Sequence, residues 1–418
     1  MLTIESQPRN WQRMKFKDFA DTSPSVKLER GKEYPFIPMD VIDGQHKFPL
    51  EVKRKSFSGG GSKFINGDTI FARITPCLEN GKIVKIQGLA EGVGFGSTEF
   101  FVFRGKDGVS DSDFVYYLSR TDTIRDPAIK SMVGASGRQR ADKGVIDNVQ
   151  VMAPALPQQK QIADVLSAYD DLIENNTRRI KILEKMAQAI YKEWFVYFCF
   201  PGHEKAKMVD SKTEFGKIPE GWEVREITKF KCLKFSKPKM DRFEGVKGYY
   251  ATADIGALGF VNTGEEVTFD SKPSRAQIQP NINSVWFARM KDTRKIVFFR
   301  DINSSFANTT LLSSGMAGFQ SESYNFAFMF SLINSDFFHV RKDLNATGAT
   351  QVSLTDEGLK QIKMIEPPLS LIQKYSQVAN LWLDEILLLQ KKNEILRQAR
   401  DLLLPKLVSG EIEIKGSL

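Results

Sequence analysis

Histidine and cysteine are scarce in this 418-residue chain, which has three of each. His46, His203 and His339 are too few for a His-rich metal centre, and no Cys/His cluster exists. Cys77, Cys199 and Cys232 lie far apart and are odd in number. They exclude a disulfide framework and a zinc spacing, and they suit a reducing compartment. No apolar run is long enough to cross a bilayer, and Met1-Leu2-Thr3 begins no signal peptide. A cytoplasmic location with no membrane partner is therefore expected. Nucleotide loops are missing as well. Gly92-Val93-Gly94-Phe95-Gly96 runs into Ser97-Thr98-Glu99 and a strand, not into a helix whose N-terminus would hold a phosphate. Gly59 to Lys63 lacks the Walker spacing. The Asn-Pro-Pro-aromatic motif of adenine methyltransferases is absent, since the only Pro-Pro, Pro367-Pro368, stands between Glu366 and Leu369. Carboxylates are scattered without a nuclease pattern. These absences describe a binder with no cofactor of its own. The net charge of +8 permits a polyanionic partner.

Glycine is also missing from residues 156–195, and there the chain declares its plan. Apolar residues recur in alternating steps of four and three: Ile162, Leu166, Tyr169, Ile173, Asn176, Ile180, Leu183, Ala187, Ile190 and Trp194. This is a heptad seam with one polar interruption, Asn176, and a stripe so narrow calls for a partner helix. The partner lies 213 positions on, at Tyr375, Ala379, Trp382, Ile386, Leu389, Asn393, Leu396, Arg400, Leu403 and Leu407. Two long helices of one phase, half a chain apart, mean an internal duplication. Pro405 is expected to end or bend the second helix near Leu404. Gln159, at the entry of the first helix, joins the seam residues as a candidate for helix pairing or partner docking.

The globular regions repeat too. Trp11 with Phe19 matches Trp222 with Phe230, Phe71-Ala72-Arg73 matches Phe287-Ala288-Arg289, and Ala135-Ser136-Gly137 matches Ala346-Thr347-Gly348. Short β-rich runs bounded by glycine and asparagine turns mark both regions as strand-rich. The expected fold is α+β: two strand-rich domains in pseudo-twofold repeat, separated by two long helices forming an antiparallel coiled coil. The expected boundaries are 1–153 for the first domain and 154–200 for the central helix. The second domain takes 201–366, with a linker at 203–219, and the distal helix and tail take 367–418. The tail from Gly410 to Ile414 alternates like an edge strand.

Basic and amide side chains, the types that contact phosphates and read base edges, gather in both regions. In the first they are Lys53, Arg54, Lys55, Lys63, Arg73, Lys82, Arg138, Gln139 and Arg140. In the second they are Lys234, Lys237, Lys239, Arg275, Arg289, Lys291, Arg294, Thr350 and Gln351. Arg138 and Arg140 occupy a glycine-flanked loop that Ala349 to Gln351 match in the second copy.

At the helix entries and exits the sequence resembles the DNA specificity subunits of type I restriction-modification enzymes. Pro154-Ala155-Leu156-Pro157-Gln158-Gln159 is similar to that family's helix entry, with Gln158 in place of Glu. Ala189 to Phe195 with Phe200-Pro201-Gly202, and Leu403 to Ile412, resemble its two helix exits. Gly67-Asp68 through Lys82-Ile83, and Gly96 to Phe100, resemble recurring patterns of its recognition domains. At the second entry Leu371-Ile372 stands where Glu-Gln is usual. The resemblance implies a non-catalytic subunit whose two target recognition domains each read one half of a bipartite double-stranded DNA site. It implies a helix pair that sets the gap between halves. It also implies two methyltransferase subunits and two restriction subunits as partners, which bring S-adenosylmethionine, ATP and Mg. Two competing readings stay open: the same reader in a methylation-only or other phage-defence system, and a coiled-coil scaffold that binds no DNA.

Overall fold

The computed structural model describes residues 2–4, 11–135, 137–236, 240–349 and 351–414, without the side chains of 2–4. The chain forms two compact units. One holds Met1–Thr177 with Lys391–Leu418, and the other holds Arg178–Gln390.

Both units are built to one plan. In the first, a four-stranded sheet runs in the order Ala20–Asp21, Phe100–Gly105, Thr69–Ala72, Ile83–Lys85. A second sheet runs Lys53–Ser56, Glu33–Ile37, Val93–Gly96, Ser62–Ile65, and its two central strands are parallel. In the second unit the matching orders are Lys234–Ser236, Met316–Gln320, Ser284–Ala288, Ile296–Phe299, and Glu265–Val267, Lys247–Tyr250, Thr310–Ser313, Ala276–Ile278. Again the two central strands of the second sheet are parallel. Thr69–Ala72 and Ser284–Ala288 are buried at every position, as central strands covered on both faces must be. Packing is exchanged between the copies. Ile70 pairs with Val102 in the first unit, and Trp286 pairs with Gly318 at the corresponding place in the second. A Cβ on Gly318 would come within 2.5 Å of the Trp286 ring, so the larger side chain is matched by none.

The long helices span Leu156–Tyr191 and Leu369–Ser409. In the first unit Ile162 and Leu166 of one helix and Leu404 and Leu407 of the other enter a core with Phe16, Phe71, Phe103 and Phe114. In the second, Ala187 of the first helix and Tyr375 of the second meet through a 3.1 Å hydrogen bond, and Ala379, Leu383 and Ile386 join Phe287, Phe319 and Phe330. Within each unit rising numbers on one helix meet falling numbers on the other, so the segments pair antiparallel. Each fully buried Leu or Ile contributes roughly 1.5–3 kcal/mol, which fixes the helices to the sheets as firmly as to each other. The tail strand Ile412–Ile414 pairs antiparallel with Leu2–Ile4.

One expectation is corrected. Pro405 does not end the second helix, which continues to Ser409. Burial of Leu407 and Val408 in the first unit's core outweighs the one main-chain bond that proline removes. Gln159 is bonded within its own unit. It is buried, accepts from the Asp111 backbone N–H at 2.8 Å, and donates to the Val109 and Pro154 carbonyls. At the matching place in the second helix, buried Ile372 makes the attachment apolar. The buried seam residues Ile162, Leu166, Ile173, Asn176, Ile386, Leu389 and Asn393 hold helix to helix and helix to sheet, so they are closed to a partner. Ile180, Leu183, Trp194 and Trp382 are half-buried against the second unit's core, and Leu396 and Leu403 are half-buried in the first.

Candidate nucleic-acid interface

The sheet edge beside each Phe-Ala-Arg motif carries a short hairpin. In the first unit Val133 and Arg140 exchange backbone hydrogen bonds of 3.1 and 2.9 Å. The returning arm docks on the motif: Ala141 N–H donates to the Arg73 carbonyl at 2.8 Å, and Thr75 N–H donates to the Gln139 carbonyl at 3.0 Å. In the second unit Ala346–Thr347 pairs with Ser353–Leu354. Leu354 N–H donates to the Arg289 carbonyl at 2.8 Å, and Lys291 N–H donates to the Val352 carbonyl at 3.1 Å. Donor and acceptor positions correspond one for one. The turn conformation repeats as well, with φ of 135° at Gly134 and 133° at Gly348. A Cβ on Gly348 would run into the Gln351 carbonyl, so glycine is required there.

This correspondence sets Arg138 on Gln351. Both are exposed, and neither side chain has a hydrogen-bond or ion-pair partner among the described residues. Arg140 differs. Its Nε and Nη2 donate to Glu99 at 2.9 and 2.7 Å, and Arg73 Nε reaches the same carboxylate at 3.3 Å. The Arg140 guanidinium beside Glu99 holds that carboxyl below its usual range; partial burial works against this, and Arg73 adds to it. Arg289 is likewise committed within the fold. It donates to the Met316 and Leu354 carbonyls at 3.1 and 3.0 Å and to Asp356 at 2.8 Å. Arg73, Arg140 and Arg289 thus hold the hairpins in place.

Residues 8–185 match the family model of the type I restriction modification DNA specificity domain. Along nearly its whole length the chain is similar to specificity subunits of that family. The MjaIX specificity subunit of a type I restriction enzyme from Methanocaldococcus jannaschii is 25% identical, covering 98% of this chain and 95% of its own. The MjaVIII specificity subunit of the same organism is 24% identical over 98% of this chain and 94% of its own. The solved S subunit of a type I restriction-modification system from M. genitalium aligns with a TM-score of 0.50 at 15% identity, covering 98% of this chain and 97% of its own. That likeness shows a shared fold.

Around the hairpins, the other cations of the chain divide by their partners. Lys53 pairs with Asp40 at 3.3 Å, Arg54 with Glu91 at 2.8 Å, and Arg294 with Asp336 at 2.6 Å. Lys82 donates to the Met39 carbonyl at 3.0 Å. Lys55 and Lys63 lie over the Phe36 and Phe57 rings at 4.8 and 5.2 Å. Gln139 is half-buried, with its carbonyl occupied by Thr75. Lys234, Arg275 and Lys291 are exposed without side-chain partners among the described residues. Lys291 adjoins the second hairpin through the docking bond described above, and the Arg275 carbonyl accepts from the Ser314 N–H, next to Gly315. Lys237, Lys239 and Thr350, expected to bind DNA, lie outside the described residues. Glu99 and Asp356 were missed by sequence reasoning, because an isolated carboxylate in a loop carries no local signal. Among the described residues no group of His, Cys, Asp and Glu is placed to hold a metal ion, and no helix is long and apolar enough to cross a membrane.

Proposed function

We propose that the two matched hairpins read the two halves of a bipartite DNA site, Arg138 in one half and Gln351 in the other. The chain is the non-catalytic specificity subunit of a type I restriction-modification system, and it works with other subunits of that system on DNA. The observation that carries the reading is the free side chain at one equivalent place in both copies, arginine in one and glutamine in the other. Arginine pairs with guanine and glutamine with adenine through two hydrogen bonds, each pair worth about 1–3 kcal/mol of discrimination. A rigid hairpin foot with a variable tip gives a fixed position and a changeable identity. Lys291 and Arg275 then serve the phosphates beside the second half-site.

On this reading the target recognition domains span 1–153 and 201–366, and the helix pair sets the gap between the half-sites. Two methyltransferase subunits and two restriction subunits complete a cytoplasmic complex, and S-adenosylmethionine, ATP and Mg belong to them. Exposed apolar side chains on the helices support a docking role: Leu172 in the first unit, Ile182, Met186 and Leu381 in the second. The test is methylation by the assembled complex across a library of randomised half-sites. Arg138→Ala should relax one half only, and Gln351→Ala the other only. Equal loss over all sequences would mean phosphate contact, and no loss would overturn the reading.

A further inference from the structure

The hairpin at 133–140 is held in an unusual way. Val133, Gly134, Ala135, Gly137 and Arg138 are exposed, so its tip buries no apolar side chain that would fix it. Its main-chain bonds are the Val133–Arg140 pair at the foot and one across the tip, from the Arg138 N–H to the Ala135 carbonyl at 3.0 Å. The side-chain grip on the returning arm is a carboxylate. Glu99 Oε1 accepts from Arg140 Nη2 at 2.7 Å, and Oε2 accepts from Arg140 Nε at 2.9 Å and Arg73 Nε at 3.3 Å. The carboxylate is itself anchored. The Glu99 N–H bonds Ser97 Oγ at 3.1 Å, and the Glu99 carbonyl accepts from the Arg73 N–H at 3.0 Å. Arg73 is steadied further, with its guanidinium 5.5 Å from the centre of the Phe101 ring.

From this geometry we infer that Glu99 is a positioning residue for Arg138 and determines specificity in the first half-site without touching a base; the inference rests on the reading of Arg138 above. Glu99 grips Arg140, two residues beyond Arg138 on the same arm, through a paired fork that fixes direction as well as distance. Arg138 then starts from a set backbone position, and only a guanidinium aimed correctly can make both hydrogen bonds to guanine. Glu99 is poorly suited to meet DNA directly, because three N–H groups already occupy its oxygens and its charge opposes phosphate. The second copy lacks this device. Gly315 accepts from the Arg289 N–H at 2.9 Å, as Glu99 does from Arg73, and so stands at the Glu99 position. The second hairpin is gripped instead by Arg289 through Leu354 and Asp356. Loss of Glu99 is therefore felt in one half-site alone.

The test uses the assembled methyltransferase complex with Glu99→Gln, Arg138→Ala and the double variant. The readout is the ratio of kcat/KM for the cognate first half-site over single-base variants. Glu99→Gln should lower that ratio roughly tenfold, leave the second half-site unchanged, and add nothing in the Arg138→Ala background. Arg140→Lys, which keeps the charge but loses the paired geometry, should reproduce the Glu99→Gln loss with thermal stability nearly unaltered. A Glu99→Gln effect that adds in full to Arg138→Ala, or that spreads to both half-sites, overturns the inference while leaving Arg138 as a reader. Wild-type discrimination in Glu99→Gln overturns it likewise. A silent Arg138→Ala overturns both the inference and the reading beneath it.

Discussion

Asn176 Nδ2 donates to Asn393 Oδ1 at 2.9 Å, so the asparagines of the two seams meet each other. Asn393 also donates to Thr177 Oγ1 at 3.3 Å and the Ile173 carbonyl at 3.4 Å. A buried amide pair fixes register at some cost in stability. Asn393→Ala should leave Asn176 unsatisfied and lower stability by about 1–3 kcal/mol. The double change Asn176→Leu with Asn393→Leu should restore or raise it. Urea unfolding of the three proteins checks the order, and a double variant weaker than Asn393→Ala would refute it.

A stronger dependence is expected at Asp170. Its carboxylate accepts from Arg400 at 2.5 Å and from the Tyr117 hydroxyl at 2.6 Å, and both charged side chains are 1% exposed. Removing one partner strands a buried charge. Asp170→Ala should therefore cost about 3–5 kcal/mol. The pair Asp170→Leu with Arg400→Met should cost far less, and thermal melts of both variants separate the two cases.

His339 gives a pH signature. It is buried, and neither ring nitrogen has a hydrogen-bond partner among the described residues. Burial, helped by Arg294 and Lys342, pushes its pKa down to about 4, below the usual 6.5. A folded-state value below the unfolded one means that the unfolded chain binds the proton more readily. The stability is complete above about pH 6.5 and is lost as pH falls towards 4, by on the order of 2–3 kcal/mol. His339→Leu should flatten that part of the stability–pH curve. An unchanged curve would show that other groups carry it.

If the helix pair sets the gap, lengthening both helices must lengthen the site. Seven residues inserted after Asn175 and seven after Asn393 add two turns to each and keep the heptad phase. That is about 10 Å of helix, or on the order of three base pairs. The methylated motif should keep both halves and gain a longer spacer in a methylome. An unaltered spacer would remove the ruler from the proposal.

Much of this molecule was legible in its sequence because the informative patterns are local and repeated. Heptad spacing announced both long helices, their common phase announced the duplication, and the paired asparagines marked the layer at which the seams meet. Phe-Ala-Arg marked the strands on which both hairpins dock, whereas the glycine that corresponds to Gly348 is Gly134 and not the Gly137 that the sequence match paired with it. Charge type alone, however, could not separate a free cation from a committed one. Arg138 and Arg140 are equivalent in composition and two positions apart, yet one is open and the other is bound to Glu99, 41 residues away in the chain. The same holds for Arg289, whose partners Met316, Leu354 and Asp356 are distant in sequence. Periodicity is a property of neighbouring residues, so the sequence by itself determined the duplication and the helix seams. Partnership depends on which remote side chains the folded sheets bring within hydrogen-bond reach, so only the tertiary structure decided which arginine is left without a partner among the described residues.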